Sequence, residues 1–349
     1  ELVLLASAWH REAAGTDESP GTRERAAIEH AAALYELASA RFPDLAAMEL
    51  PRIDRRDRPS AGDLAFFLGE LLYALERWPE CASAYERALE RDASPQLVAS
   101  AAYGAGLCHD RHLGARTPPP APADRALTER PFTGDEARMA RTFARFACVA
   151  PEHEELPIVL YRWARLHYEA NQLEPAAVLF RRVALLHPVS EVGEYAANLY
   201  LDTLNALGER RGRAACFAEL ERALEPLDRA HCGAGVSHPP VCAVASGLRC
   251  ALGARRAARP EVAPADRARR LLALARDGGC PDAPALLYDA AIAYEQARLL
   301  GAAIRVRTVL VEQYPADPRA RRALALIGAN YHALAIYELA ADWYERYAR

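Results

Sequence analysis

Three observations make the chain all-α. Apolar residues recur at intervals of three and four through Asp63–Trp78 (DLAFFLGELLYALERW) and Glu194–Leu207 (EYAANLYLDTLNAL), which is the period of an amphipathic helix. Alternating runs of β-branched residues, the mark of strands, are absent. Prolines close successive helical stretches at Pro43, Pro95, Pro151, Pro188, Pro281 and Pro315, and the steps from 151 to 188 and from 281 to 315 measure 37 and 34 residues. A step near 34 is the length of a helix-turn-helix unit.

Composition narrows the class further. A chain of 349 residues exceeds one ordinary core, so it is built either from several domains or from a repeat array. Its 43 basic and 47 acidic groups give a formal charge of −4, and the sequence contains arginine but no lysine. Acids and bases alternate without a basic stripe, which argues against nucleic acid as a partner. No apolar run approaches the roughly 18 to 20 residues that span a bilayer.

Taken along the chain, 1–43 is a helix pair, followed by an insertion at 44–61. The next hairpin carries Leu68, Gly69, Leu72, Cys81, Tyr85 and Ala88 at helix-contact spacing, and 97–151 is a looser pair interrupted at 110–133. Leu160, Trp163, Ala164, Ala176, Phe180 and Pro188 define the following hairpin, and a looser pair spans 191–229. After an insertion at 230–241 come Leu287, Ala291, Tyr294, Ala303 and Pro315, with Arg307 where an aromatic is usual, and then Leu324, Ile327, Gly328, Tyr331, Ala340 and Tyr344. The segments 16–24, 50–62 and 112–134 are rich in proline and charge and read as surface loops. Pro118, Pro119 and Pro120 read either as a short polyproline ligand or as a tolerated insertion.

Four such sets of small and large apolar residues in register resemble the tetratricopeptide repeat (TPR). The resemblance implies a right-handed α-helical solenoid of about eight hairpins, a single superhelical array over 1–349. Glu1 and Arg349 both fall inside helix patterns without a polar cap, so the array is expected to be part of a longer chain.

The resemblance also implies that the first helices line a concave groove holding a protein or peptide. On the family register, Tyr161, Arg162, Arg165 and Tyr168 of one repeat and Glu194, Asn198 and Asp202 of the next face that groove, and Tyr288, Asp289 and Glu295 continue it. Asn198, Asp202 and Asn205 form a polar stripe suited equally to hydrogen bonding between repeats and to ligand contact. The subclass that captures carboxyl-terminal peptides for chaperones needs a lysine and an asparagine four apart. Here Glu194 precedes Asn198, so that activity is disfavoured.

No phosphate-cradling glycine loop, GxSxG or HExxH motif occurs, so no catalytic residue, cofactor or metal is expected. Two short stretches are metal candidates. Cys108, His109, Asp110 and His112 cluster in CHDRH, where helix-end capping is the favoured reading. Arg229–Cys242 (RAHCGAGVSHPPVC) holds His231, Cys232, His238 and Cys242 between helices expected to end near Leu227 and begin near Val244. Glycine and proline turns bring the two cysteines together, and a Cys232–Cys242 disulfide is favoured over zinc because no CxxC or HxxxH anchor is present. The eight cysteines read either as small apolar fillers between helices or, slightly favoured because several flank one loop, as partly bridged in an oxidising compartment.

These readings converge on a non-enzymatic binding scaffold. Its repeats are similar to bacterial envelope-associated scaffold lipoproteins, which implies assembly of an envelope or periplasmic complex and an extracytoplasmic location. The alternative is a cytosolic regulatory sensor that binds a peptide or small ligand.

Overall fold

A computed structural model describes residues 1–16, 19–42, 59–91, 93–114, 128–211, 213–233, 237–277 and 279–349. Most of the expected insertions at 44–61 and 110–133, including Pro118–Pro120, lies outside the described residues. The described residues are helical apart from connections and one antiparallel pairing of β1 (Gly15–Thr16) with β2 (Ser19–Pro20), within the stretch read as a loop. Gly15, at φ 87°, supplies the positive-φ residue at which α1 ends and passes into β1.

The chain divides into two compact units, Glu1–Arg210 and Arg211–Arg349, where the sequence reading has one array. The first holds α1 (Leu2–Ala14), α2 (Arg25–Arg41), α3 (Ala61–Ala74), α4 (Trp78–Glu90), α5 (Pro95–Gly114), α6 (Gly134–Val149), α7 (Leu156–Glu169), α8 (Leu173–Leu186) and α9 (Gly193–Arg211). The second holds α10 (Arg213–His231), α11 (Pro239–Ala257), α12 (Pro264–Arg276), α13 (Ala283–Gln296), α14 (Leu300–Gln313), α15 (Pro318–Ala333) and α16 (Tyr337–Ala348). Consecutive helices pack on one another from α1 through α8 and from α10 through α16, and first helices of neighbouring hairpins also meet, α3 on α5 and α13 on α15. This is an all-α helical-repeat fold.

Four hairpins share one turn. Glu76, Asn171, Arg298 and Ala335 each adopt a left-handed backbone, at φ 59°, 54°, 59° and 59°. In each, the next residue's N–H reaches five positions back: Arg77 to the Leu72 carbonyl at 3.0 Å, Gln172 to His167 at 2.9 Å, Leu299 to Tyr294 at 2.9 Å and Ile336 to Tyr331 at 3.0 Å. The left-handed residues themselves donate three positions back, to Tyr73, Tyr168, Glu295 and His332. The pair of bonds is a Schellman closure, which satisfies the helix's last carbonyls and turns the chain at once into the second helix. Glycine is usual at such a position. Its absence from all four turns hides them from a search for turn residues.

The same four hairpins repeat a packing contact. Gly69, Ala164, Ala291 and Gly328 on first helices each precede by sixteen positions a large residue on the second: Tyr85, Phe180, Arg307 and Tyr344. A Cβ added to Gly69 or Gly328 would stand 2.8 Å from the Tyr85 or Tyr344 ring, so the absence of a side chain is what admits each aromatic. Tyr85 is held from its other side by Gly104 of α5, which locks one hairpin to the next. Phe180 sits wholly buried, with the rings of Tyr161 and Tyr168, one turn either side of Ala164, 6.0 and 6.2 Å away. Tyr85 is part of a core that runs from Val3 to Cys108, and in the second unit Ala291 belongs to a core spanning Cys250 to Ala323.

One boundary differs from expectation. α10 continues to His231 and α11 begins at Pro239, so the connection between them is shorter than 230–241 and ends well before Val244. The Pro239–Pro240 pair opens the helix rather than filling a loop, because proline's missing N–H is no loss in a first turn.

Two outcomes test this packing. Gly69→Leu is expected to cost stability by about 1 to 3 kcal/mol through overpacking, and Gly328→Leu by less, because Tyr344 is 41% exposed and can swing outward while Tyr85 is buried. Ala335→Gly is expected to raise stability by up to about 1 kcal/mol, since relief of the left-handed alanine exceeds the added freedom of the unfolded chain. Thermal melts followed by circular dichroism measure both.

Candidate partner-binding face

In the first unit, the helices α7 and α9 present the residues assigned to the groove. At the seam of α7 with α9 the Tyr168 hydroxyl donates to the Asp202 carboxylate. Arg162 reaches the opposite neighbour and pairs with Asp110 of α5 at 3.3 Å. Arg165, 54% exposed at its side chain, pairs with Glu169 on its own helix at 2.6 Å. Tyr161, Glu194 and Asn198 are half-buried, and Asp202 and Asn205 are exposed.

Three first helices are therefore stitched into one face by polar contacts. Part of the polar stripe serves hydrogen bonding between repeats, since Asp202 is committed to Tyr168. Among the described residues, no hydrogen bond or ion pair of Arg165, Asn198 or Asn205 joins one helix to another.

The CHDRH cluster is dispersed. Cys108 is buried in a disulfide with Cys81, Asp110 pairs with Arg162, and His112 lies 3.7 Å from Asp135. His109, also buried, points into Glu86 of α4, which accepts from His109 Nε2 at 2.8 Å and from Arg138 Nε of α6 at 3.1 Å. Burial pushes the Glu86 carboxyl up, but the hydrogen bonds and positive charge of His109 and Arg138 outweigh it and hold the group at about 2. The four residues turn to four different partners, and the tie across α4, α5 and α6 is structural.

In the second unit, Tyr288 is half-buried against the core and Asp289 is exposed, sharing a cleft with Ile292 and with Arg267 of α12. Glu295 turns the other way. Its carboxylate accepts from Arg307 Nη1 at 2.5 Å, and Arg307 has no exposed surface. Burial raises the Glu295 carboxyl, yet the Arg307 hydrogen bond and charge leave it below the ordinary glutamate value. Arg307 occupies the place of the missing aromatic, its stem filling the hairpin and its charge neutralised by Glu295.

Cys232 and Cys242 are joined to each other, and Cys250 on α11 is joined to Cys280 just before α13. The first bridge closes the α10–α11 connection, where His238 N–H donates to the His231 carbonyl at 2.9 Å and the two imidazoles meet at a tilt of 57°, their centroids 5.1 Å apart. Sulfurs bonded to each other are not thiolate ligands, so the arrangement is a clasp.

Other polar groups on first helices escaped the sequence reading. His10 of α1 lies 3.9 Å from Glu70 of α3, whose carboxyl burial raises to about 7, and the Tyr103 hydroxyl of α5 donates to Glu155 at 2.9 Å. His10 and Tyr103 belong to the looser hairpins, which offer no register from which to assign a face.

No family model and no curated protein matches the chain. Among solved structures, the TPR2AB-domain:pHSP90 complex of yeast Sti1 is similar at 11% identity and a TM-score of 0.29, over 82% of this chain and 98% of that one. The P58(IPK) TPR domain is similar at 14% identity and a TM-score of 0.25, over 98% and 94%. At these scores neither likeness carries an argument. The helical-repeat class rests on the recurring turn and contact described above.

Two measurements probe the buried charges. Glu295→Ala is expected to cost about 3 to 5 kcal/mol, by leaving the Arg307 guanidinium buried without its carboxylate. Because the folded Glu86 value is depressed, its contribution is fully present above the ordinary glutamate value of 4.5 and is lost as pH falls toward about 2. The thermal midpoint of Glu86→Gln should therefore fall less steeply than that of the parent chain across this range.

Proposed function

We propose that the chain is a non-enzymatic protein-binding scaffold that holds a protein or peptide against the face of its first helices, and that it assembles a complex of the cell envelope or periplasm. The observation that carries the reading is the α5–α7–α9 face: three helices held in register by Arg162–Asp110 and Tyr168–Asp202, with Arg165, Asn198 and Asn205 left to meet a partner. A face fixed by its own contacts is pre-organised, so binding orders little new structure. Mixed charge with half-buried tyrosines suits a polypeptide better than a polyanion.

The compartment reading is supported by three disulfides among the described residues, Cys81–Cys108, Cys232–Cys242 and Cys250–Cys280, because such bonds persist where thiols are oxidised. Among the described residues no helix is long and apolar enough to cross a membrane.

Arg165→Glu together with Asn198→Ala and Asn205→Ala is expected to abolish partner pull-down while changing the melting temperature little, since the exposed Arg165–Glu169 pair contributes about 0 to 1 kcal/mol and the contacts that hold the helices in register are untouched. Full retention of the partner by the triple variant would remove this face from the function.

A further inference from the structure

In the first unit, α3 is apolar along almost its whole length. Its charged residues are Asp63 and Glu70, and Asp63 is committed to the start of the helix, where it accepts from the Ser60 N–H and from Ser94. Glu70 is different. Phe67 and Tyr73, both half-buried, stand one turn to either side of it on the same helix face. Phe67 belongs to a cluster of rings, 5.9 Å from His10 of α1 and 6.0 Å from Tyr35 of α2. Burial lowers the His10 imidazole, so at neutral pH it faces Glu70 without a charge.

Among the described residues no hydrogen bond reaches the Glu70 carboxylate. Other acids along the first helices of this unit each have a donor: Asp110 has Arg162, Glu155 has Tyr103 and Asp202 has Tyr168. Burial alone therefore sets the Glu70 carboxyl, with no contact to oppose it. The side chain is nevertheless 43% exposed, so the group is reachable from solvent. A carboxylate desolvated by its neighbours and left without a donor costs the fold stability, and a positive charge entering from outside recovers that cost.

The repeat register places Glu70 in a row. Glu70 directly follows Gly69, as Arg165 directly follows Ala164 on α7. Between them on α5, Leu107 follows Gly106, which admits the Phe143 ring of α6 as Gly69 admits Tyr85. The row thus runs acid, apolar, base across three first helices, and its basic end is a residue already assigned to the partner.

We propose that Glu70 receives a basic side chain of the bound polypeptide, laid against the rings of Phe67 and Tyr73. This rests on the reading of the first-helix face as the partner site and extends that face from α5 to α3. A guanidinium satisfies both parts of such a site, because its planar fork pairs with a carboxylate and its face lies on aromatic rings.

The test uses the full chain and a fluorescein-labelled peptide of about twelve residues on a glycine and serine background. It carries one arginine and one glutamate about six residues apart, the span of two helix spacings of about 10 Å at about 3.3 Å per extended residue. One twin has citrulline for the arginine, which keeps the shape and removes the charge, and another has glutamine for the glutamate. In fluorescence anisotropy the parent peptide should bind about fivefold more tightly than the citrulline twin, which corresponds to about 1 kcal/mol. Glu70→Gln should erase that difference and leave the thermal midpoint unchanged or higher, because it removes an uncompensated carboxylate. Equal binding of the parent and the glutamine twin would remove Arg165 from the face while the citrulline comparison still decides the role of Glu70. Equal binding of the parent and the citrulline twin, or no binding of the parent at about 1 mM, would overturn the proposal. So would a midpoint lowered by more than about 4 °C in Glu70→Gln, the mark of a structural carboxylate. Displacement of the parent peptide by an equal concentration of spermidine would overturn it by assigning Glu70 to a small amine, and a Glu70-dependent dimer in sedimentation by assigning it to a second copy.

Discussion

In four hairpins a small residue on the first helix, followed sixteen positions later by a large residue on the second, sets the distance between the two helices, and the rest of the architecture is built on that distance. Gly69 and Gly328 let the rings of Tyr85 and Tyr344 lie flat against helix backbone, at a separation no Cβ would allow. Close-packed interiors have few voids larger than a water molecule, so the ring both spaces the helices and seals the gap. Because Tyr85 also meets Gly104 of the next first helix, the contact joins neighbouring hairpins. The Schellman closures at Glu76, Asn171, Arg298 and Ala335 bring each large residue within reach by turning the chain at once into the second helix.

The hairpin containing Arg307 shows what this constraint costs when its usual residue is replaced. A guanidinium without exposed surface loses its hydration, and Glu295 must recover that loss through one short hydrogen bond. Glu295 is thereby withdrawn from any partner, although its place in the repeat suggests a groove residue. Polar contacts divide in the same way elsewhere. Asp110, Glu86 and Asp202 join one helix to another, and the side chains left over define where a partner can meet the protein.

The parts of the fold legible in the sequence were those with a strict spacing. The four hairpins keyed by Gly69, Ala164, Ala291 and Gly328 could be placed because small and large residues must recur at fixed intervals for two helices to interlock. The turns stayed hidden because glutamate, asparagine, arginine and alanine occupy a position where glycine would have announced them. Pro239 and Pro240 read as loop because a proline pair breaks helices everywhere except in a first turn. Of the face residues, Arg162, Tyr168 and Asp202 could be assigned from register. Their commitment to partners could not, because Asp110 comes from a looser hairpin and side-chain reach has no period.

The most direct test of this account replaces Arg307 by tyrosine, together with Glu295→Gln and Ala291→Gly, which restores to that hairpin the pattern of the Gly69 and Gly328 hairpins. If the small–large contact governs the fold, equilibrium denaturation should show the triple variant to be as stable as the parent or more so by about 1 to 4 kcal/mol, as expected when a buried ion pair gives way to well-packed side chains. A loss of about 3 kcal/mol or more, the signature of a void or a broken network, would contradict it.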